Sequence, residues 1–209
     1  MQSNDSILWY FADPMCSWCW GFSPVIQHIM EDYEGRLKFA LVLGGLRTGA
    51  VQPMSAQQRE EILHHWHEVH RMTGQAFQFE GAMPEGFIYD TEPACRAVAA
   101  VSSIDINLIF PMFKAVQSAF YTRGMDVTQT GVLTDIAVGL GVQKNSFRQS
   151  FESEESHRKT QAHFQQTRQY GVRGFPTIIL QRESGYSLLN SGYKNYDDLK
   201  GGLEEWLAE

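Results

Sequence analysis

The chain has 209 residues, of which 43% are hydrophobic and 12% aromatic. That is enough apolar material for a sizeable core and excludes a disordered, collagen-like or linker-dominated chain. Lys and Arg number 17 against 24 Asp and Glu, a formal charge of −7, so the cationic footprint that nucleic acid or an anionic membrane surface demands is missing. No apolar run approaches the roughly 20 residues that cross a bilayer. The polar stretch 1–6 carries no basic region ahead of the short apolar run that follows, so the chain reads as lacking a signal peptide and as cytoplasmic.

Ile7-Leu-Trp-Tyr-Phe11 is a short continuous apolar run, the pattern of a strand buried on both faces. After the turn at Asp13-Pro14 comes Cys16-Ser17-Trp18-Cys19, opening a helix. Leu37–Leu43 is a second buried strand, closed by Gly44-Gly45. From 51 to 170 the period is helical. Ser55 followed by Gln58 is a capping-box pattern, ahead of the stripe Ile62, Leu63, Trp66 and Val69 that ends near Gly74. Thr91-Glu92-Pro93 opens a helix through Val101, with proline where the first turn tolerates it. Further helices are predicted over 108–121, bent at Pro111, then over 128–140, 145–151 and 154–170. Thr177–Leu180 and Tyr186–Leu189 then form a hairpin about Glu183-Ser-Gly185. A last helix carries Leu199, Leu203, Trp206 and Leu207 on one face, with Asn195 or Asp197 as its cap.

This order of strand, helix, strand, helices, hairpin and helix is an α/β thioredoxin fold with a large helical insertion. Residues 1–50 and 171–209 make a discontinuous thioredoxin-like domain of about 90 residues, one small domain. Residues 51–170 make the inserted helical domain.

The chain has three cysteines, Cys16, Cys19 and Cys95, too few for a disulfide scaffold. A dithiol that exchanges with disulfides needs one thiol ionised near neutral pH and a second within reach to resolve the mixed disulfide. Three residues apart in a first helical turn supplies the reach, and the unpaired N–H groups of the helix end favour the thiolate of Cys16. Cys19, a turn further in, is the more buried, resolving sulfur. The competing reading is half a zinc site, which calls for a second such pair; His64, His65, His67 and His70 drift around their helix and suit solvation better than a metal. No metal or organic cofactor is expected.

Gly171-Val-Arg-Gly-Phe-Pro-Thr177 lies directly before a strand. Read alone, Pro176 is an ordinary trans proline at a strand entrance. Combined with the dithiol after the first strand it reads as cis, leaving Phe175 backbone groups free to pair with an extended substrate. Cys95, among Ala94, Ala97, Val98 and Ala99, reads as a small buried hydrophobe, with a regulatory thiol as the alternative. Pro24 frees the carbonyl of Trp20 and kinks its helix. Trp18, Trp20 and Phe22 either form an apolar rim for peptides or pack against the insertion.

Asp13-Pro-Met-Cys-Ser-Trp-Cys-Trp-Gly-Phe-Ser-Pro24, together with Gly171–Thr177 and Thr91-Glu-Pro-Ala-Cys-Arg-Ala97, resembles the DsbA-like thioredoxin-fold oxidoreductases, and within them the FrnE-like branch and protein-disulfide isomerases without a signal peptide. The resemblance implies Cys16 as nucleophile, Cys19 as resolving thiol and Pro176 as a cis proline facing them. It also implies that Pro176 with Phe175 is the loop that docks substrate, and Ser17 and Trp18 between the cysteines are further candidates for substrate contact. The implied activity is disulfide reduction or isomerisation on proteins or peptides, with glutathione as a further small partner. Two rivals stand beside it. One is a glutathione-dependent enzyme of the kappa-class transferase or 2-hydroxychromene-2-carboxylate isomerase type, whose members carry a single Ser or Cys at the Cys16 position. The other is a non-enzymatic holdase. Oligomeric state is not legible in the residues.

Overall fold

Two apolar runs pair first. Strand β1 (Ile7–Ala12) lies parallel to β2 (Lys38–Leu43), joined by helix α1 (Ser17–Asp32). The computed structural model describes residues 6–209; the stretch Met1–Asp5, on which the signal-peptide expectation mostly rests, lies outside the described residues. On its other side β1 pairs antiparallel with β3 (Thr177–Arg182), and β3 with β4 (Gly185–Ser191), giving the order β2-β1-β3-β4. Between β2 and β3 run α2 (Ala56–Thr73), α3 (Glu92–Ile104), α4 (Ile109–Arg123), α5 (Thr130–Gly139), α6 (Lys144–Phe151) and α7 (Glu154–Gln169), and α8 (Tyr196–Ala208) closes the chain. This is the α/β thioredoxin fold with helices between its second and third strands.

Central placement explains the continuous apolar run of β1. Leu8 and Tyr10 face the helices and are fully buried, whereas Phe11 turns to the opposite face with Val42 and Ile179, covered by Tyr170 and Val172. Trp9 is half-buried there and donates its indole N–H to Gln181 at 2.7 Å.

Local signals set the helix ends. Ser55 and Gln58 form the reciprocal capping box of α2, which ends at Gly74 in the left-handed region (φ 72°). Asn195 caps α8 through the Asp198 N–H. The 108–121 helix differs from expectation: a 3-10 turn, Ile106–Leu108, precedes α4, so Pro111 falls in the first turn of that helix rather than bending it. A first-turn N–H has no partner within its own helix, so proline costs nothing there.

Pro24 does stand inside α1, which runs unbroken past it from Ser17 to Asp32. The Trp20 carbonyl it frees accepts from Gln75 Nε2 at 2.9 Å, and the same amide donates to Ser23 Oγ at 2.7 Å. Beside this patch α2 crosses α1 so closely that a Cβ on Gly21 would meet Val69 Cγ1 at 2.7 Å. Gln75→Ala is expected to lower the thermal midpoint by about 2–6 °C, the loss of one satisfied carbonyl at ~1–2 kcal/mol. A calorimetric scan checks it.

Candidate active site

Where β1 ends, Asp13 turns the chain: the Cys16 N–H donates to its carbonyl at 3.1 Å and the Met15 N–H to its Oδ1 at 2.8 Å. The turn delivers Cys16 to the N-cap of α1 in extended backbone (φ −91°, ψ 117°), with no acidic residue in the first turn to oppose a thiolate. Cys19 follows on the inner face of that turn.

Enclosure separates the sulfurs less than the sequence suggested. Cys19 is fully buried and Cys16 only 5% exposed, so the sulfur expected to be the less buried of the two is itself reached only through a narrow mouth. The reason is the loop before β3. The Phe175–Pro176 peptide bond is cis, and the Phe175 carbonyl lies 3.7 Å from Cys16 Sγ. The Phe175 ring packs flat against the end of β2, where a Cβ on Gly44 would meet its Cζ at 2.2 Å. Only glycine at 44 admits the ring. Pro176 itself is buried, its carbonyl accepting from Gly192 N–H at 2.8 Å.

The mouth is about 280 Å³ in volume and is lined by Cys16, Ser17, Trp18, Arg47, His65 and Phe175, among others. Arg47 and His65 come from the β2–α2 connection and from α2, and neither was singled out for the site in the sequence. Arg47 lies over the Tyr89 ring at 5.1 Å, and the Tyr89 hydroxyl donates to the Met15 carbonyl at 2.5 Å. Trp18 is half-buried against Tyr193. Trp20 and Phe22 pack inside: the Trp20 indole donates to the Ala76 carbonyl at 2.9 Å and stacks on Tyr121. Of the three aromatics, Trp18 alone borders the mouth.

Behind the dithiol is a buried polar group that sequence reasoning missed. Asp13 is fully enclosed, its Oδ2 accepting from the Leu46 N–H at 2.7 Å and lying 3.5 Å from Cys95 Sγ. Burial raises its pKa against the opposing effect of the Leu46 and Met15 N–H bonds. The signal available was an acid set at the end of an apolar strand, three residues before the first cysteine. Burial pushes the Cys19 thiol well above its ordinary value, and its hydrogen bond with Cys16 pushes the same way. Cys95 is raised by burial and then by Asp13. Tyr10, beside Cys19, has its phenol raised by burial and then by the two thiols.

The histidines of α2 scatter. His65 Nδ1 is 3.4 Å from Glu68, His67 stacks on Phe79 at 4.0 Å, and His70 Nδ1 meets the Gln75 carbonyl at 2.7 Å. Among the described residues no three His, Cys, Asp or Glu side chains converge as a metal site, and no helix is long and apolar enough to cross a membrane.

A model of the DsbA-like thioredoxin domain matches residues 7–204. The chain belongs to the DsbA-like thioredoxin family. Within this family it is similar to a proposed protein disulfide isomerase from Nitrosomonas europaea, at 46% identity over 98% of both chains with a TM-score of 0.91. It also resembles the cytosolic disulfide reductase DsbM from Pseudomonas aeruginosa, at 27% identity over 97% of this chain and 98% of that one, with a TM-score of 0.81. A second DsbM structure, solved with GSH, matches at a TM-score of 0.80, over 97% of this chain and 100% of that one, also at 27% identity. The chain spans 57% of the length of a curated relative, the ClpXP adapter protein SpxH from Halalkalibacterium halodurans, at 20% identity over 82% of its own length.

For this DsbA-like chain the arrangement predicts an order of thiol reactivity. Cys16 is expected to alkylate first at neutral pH, because it alone reaches the mouth and sits at a helix N-terminus; Cys19 and Cys95 should label only on unfolding. Mass mapping after a timed iodoacetamide pulse reads the order, and Cys95 labelled before Cys16 would overturn it.

Proposed function

We propose that this protein is a thiol–disulfide oxidoreductase that works as a disulfide reductase or isomerase on proteins or peptides. The observation that carries the proposal is the placement of Cys16: helix N-cap, cis-proline loop 3.7 Å away, resolving cysteine three residues on and enclosed. In the forward cycle the Cys16 thiolate attacks one sulfur of a substrate disulfide, forming a mixed disulfide and expelling the other sulfur as a thiolate that takes up a proton. Cys19 then loses its proton and attacks Cys16 Sγ. The substrate's second thiol leaves, two electrons have passed to substrate, and the Cys16–Cys19 disulfide remains.

Two glutathione molecules return those electrons and leave as glutathione disulfide. Arg47 and His65 on the rim suit the carboxylates of that tripeptide, and the DsbM structure solved with GSH supports glutathione as the reductant. Phe175 backbone groups pair with an extended substrate segment beside Cys16, with Ser17 and Trp18 flanking it. We assign residues 51–170 to an inserted helical domain whose first helix supplies His65 to this rim, Arg47 coming from the connection just before it.

Redox titration of the Cys16–Cys19 pair in glutathione buffers tests the direction. Ser17-Trp18 adds no charge to stabilise the thiolate, so the couple is expected at about −180 to −270 mV, the isomerase-to-thioredoxin range. A value near about −120 mV, that of a strong oxidase, would overturn the reductase direction. In a glutathione-reductase-coupled assay Arg47→Ala should raise KM for glutathione about threefold with kcat held, the worth of one exposed ion pair.

A further inference from the structure

A second cavity, of about 640 Å³, opens between α1, α4 and the edge strand β2 and shares no lining residue with the mouth at Cys16. Its walls are mostly apolar: Ile26 and Met30 from α1, Phe39 from β2, Phe110 and Phe113 from α4. The volume lies in the range that encloses a drug-sized molecule.

One polar side chain in this lining is out of place for a packing defect. Gln117 is fully buried, and both its Nε2 and Oε1 lack a hydrogen-bond partner among the described residues. A buried unpaired amide destabilises the free protein, whereas leucine would fill the same space without that cost. A side-by-side donor and acceptor is matched by a group with the same pair reversed, a carboxamide or lactam. The rim argues against an anion: Glu31 and Glu34 stand there with a single lysine, Lys114, whose Nζ is already held by Gln27 Oε1 at 2.5 Å.

We propose that this cavity is a binding site for a small uncharged molecule with an apolar body and a carboxamide-like head, the head pairing with Gln117 and the body filling the space between α1 and α4. The site stands on its own geometry and does not depend on the redox reading of Cys16.

Calorimetric titration of the full chain with 2-naphthamide tests it, beside 2-naphthoate as the anionic counterpart. Saturable one-to-one binding of the amide, with the carboxylate weaker by about tenfold or more, is expected. Met30→Trp, which fills the cavity from a half-buried position, should weaken binding by at least about tenfold, and Leu188→Trp on the exposed face of β4 should leave it unchanged. Gln117→Leu should weaken binding while leaving the thermal midpoint equal or higher. Should Met30→Trp fail to fold, hydrogen exchange on the unaltered protein decides: the amide should protect 23–34 and 110–117. No saturable binding, equal binding of amide and carboxylate, undiminished binding to folded Met30→Trp, or protection at Cys16 and Phe175 instead would each overturn the site.

Discussion

Cys16→Ser is expected to lower disulfide reduction by at least about 10³-fold, the scale on which a covalent nucleophile is missed. Cys19→Ser should leave the first attack intact and stop the second, so that a mixed disulfide through Cys16 accumulates and is seen as an adduct in intact-mass spectra. The asymmetry follows from enclosure: one sulfur meets the mouth and the other does not. The second step carries its own pH dependence. Burial is the largest cause holding the Cys19 thiol above its ordinary value, and burial persists in the mixed disulfide. Resolution should therefore accelerate with rising pH, about tenfold per unit while Cys19 remains mostly protonated, and single-turnover chase of the adduct measures it. A pH-independent chase would mean that Cys19 is already ionised or that another thiol resolves. Cys95→Ala should leave exchange within about twofold, since Cys95 is sealed behind Asp13.

The largest stability effect is expected at Asp13. Its carboxylate accepts from the Met15 and Leu46 N–H groups and so joins the turn before Cys16 to the loop after β2. Asp13→Ala leaves one buried donor, the Met15 N–H, and one part-buried donor, the Leu46 N–H, unpaired, at up to about 1–3 kcal/mol each. The thermal midpoint should fall by roughly 5–15 °C in a chain of this size, and exchange should slow as the Cys16 turn loosens. Asp13→Asn separates charge from hydrogen bonding. The folded-state pKa of Asp13 is raised above the ordinary 3.8 by burial, so between those two values the folded protein holds a proton that the unfolded chain has lost. The stability this contributes is complete below about 3.8 and is lost as pH rises through the raised value. Relative to Asp13→Asn, the unaltered protein should thus be favoured more in acid than at neutrality. Denaturant midpoints of the two proteins across that range read the difference, and one that stays flat would place the carboxylate in contact with water.

Much of the site was legible because its signals are local. Cys16 and Cys19 share one helical turn directly after an apolar strand, and Phe175-Pro176 stands directly before another; each arrangement follows from backbone periodicity over a few residues. The capping box of Ser55 and Gln58, the cap at Asn195 and the freed carbonyl at Trp20 were legible for the same reason. What answers that carbonyl was not, because Gln75 lies 55 residues away and nothing in its neighbourhood marks it.

The same separation hides the rest of the site. Asp13 and Leu46 meet because parallel pairing of β1 and β2 sets Ala12 beside Leu43, and a shift of register would part them. Gly44 is read from sequence as a turn; only the approach of the Phe175 ring shows why no side chain is admitted there. The near-closure of Cys16 depends on the distant loop before β3, the burial of Trp20 on Tyr121 of α4, that of Phe22 on Tyr10 and Tyr193, and the place of Arg47 and His65 at the rim on how α2 and the loop before it dock on α1. Sequence alone determined the order of elements along the chain, the dithiol at a helix start and the family resemblance, since each rests on pattern within segments. Tertiary structure decided which sulfur meets solvent, what lies behind it and what frames the mouth, since those depend on contacts between segments that carry no shared period.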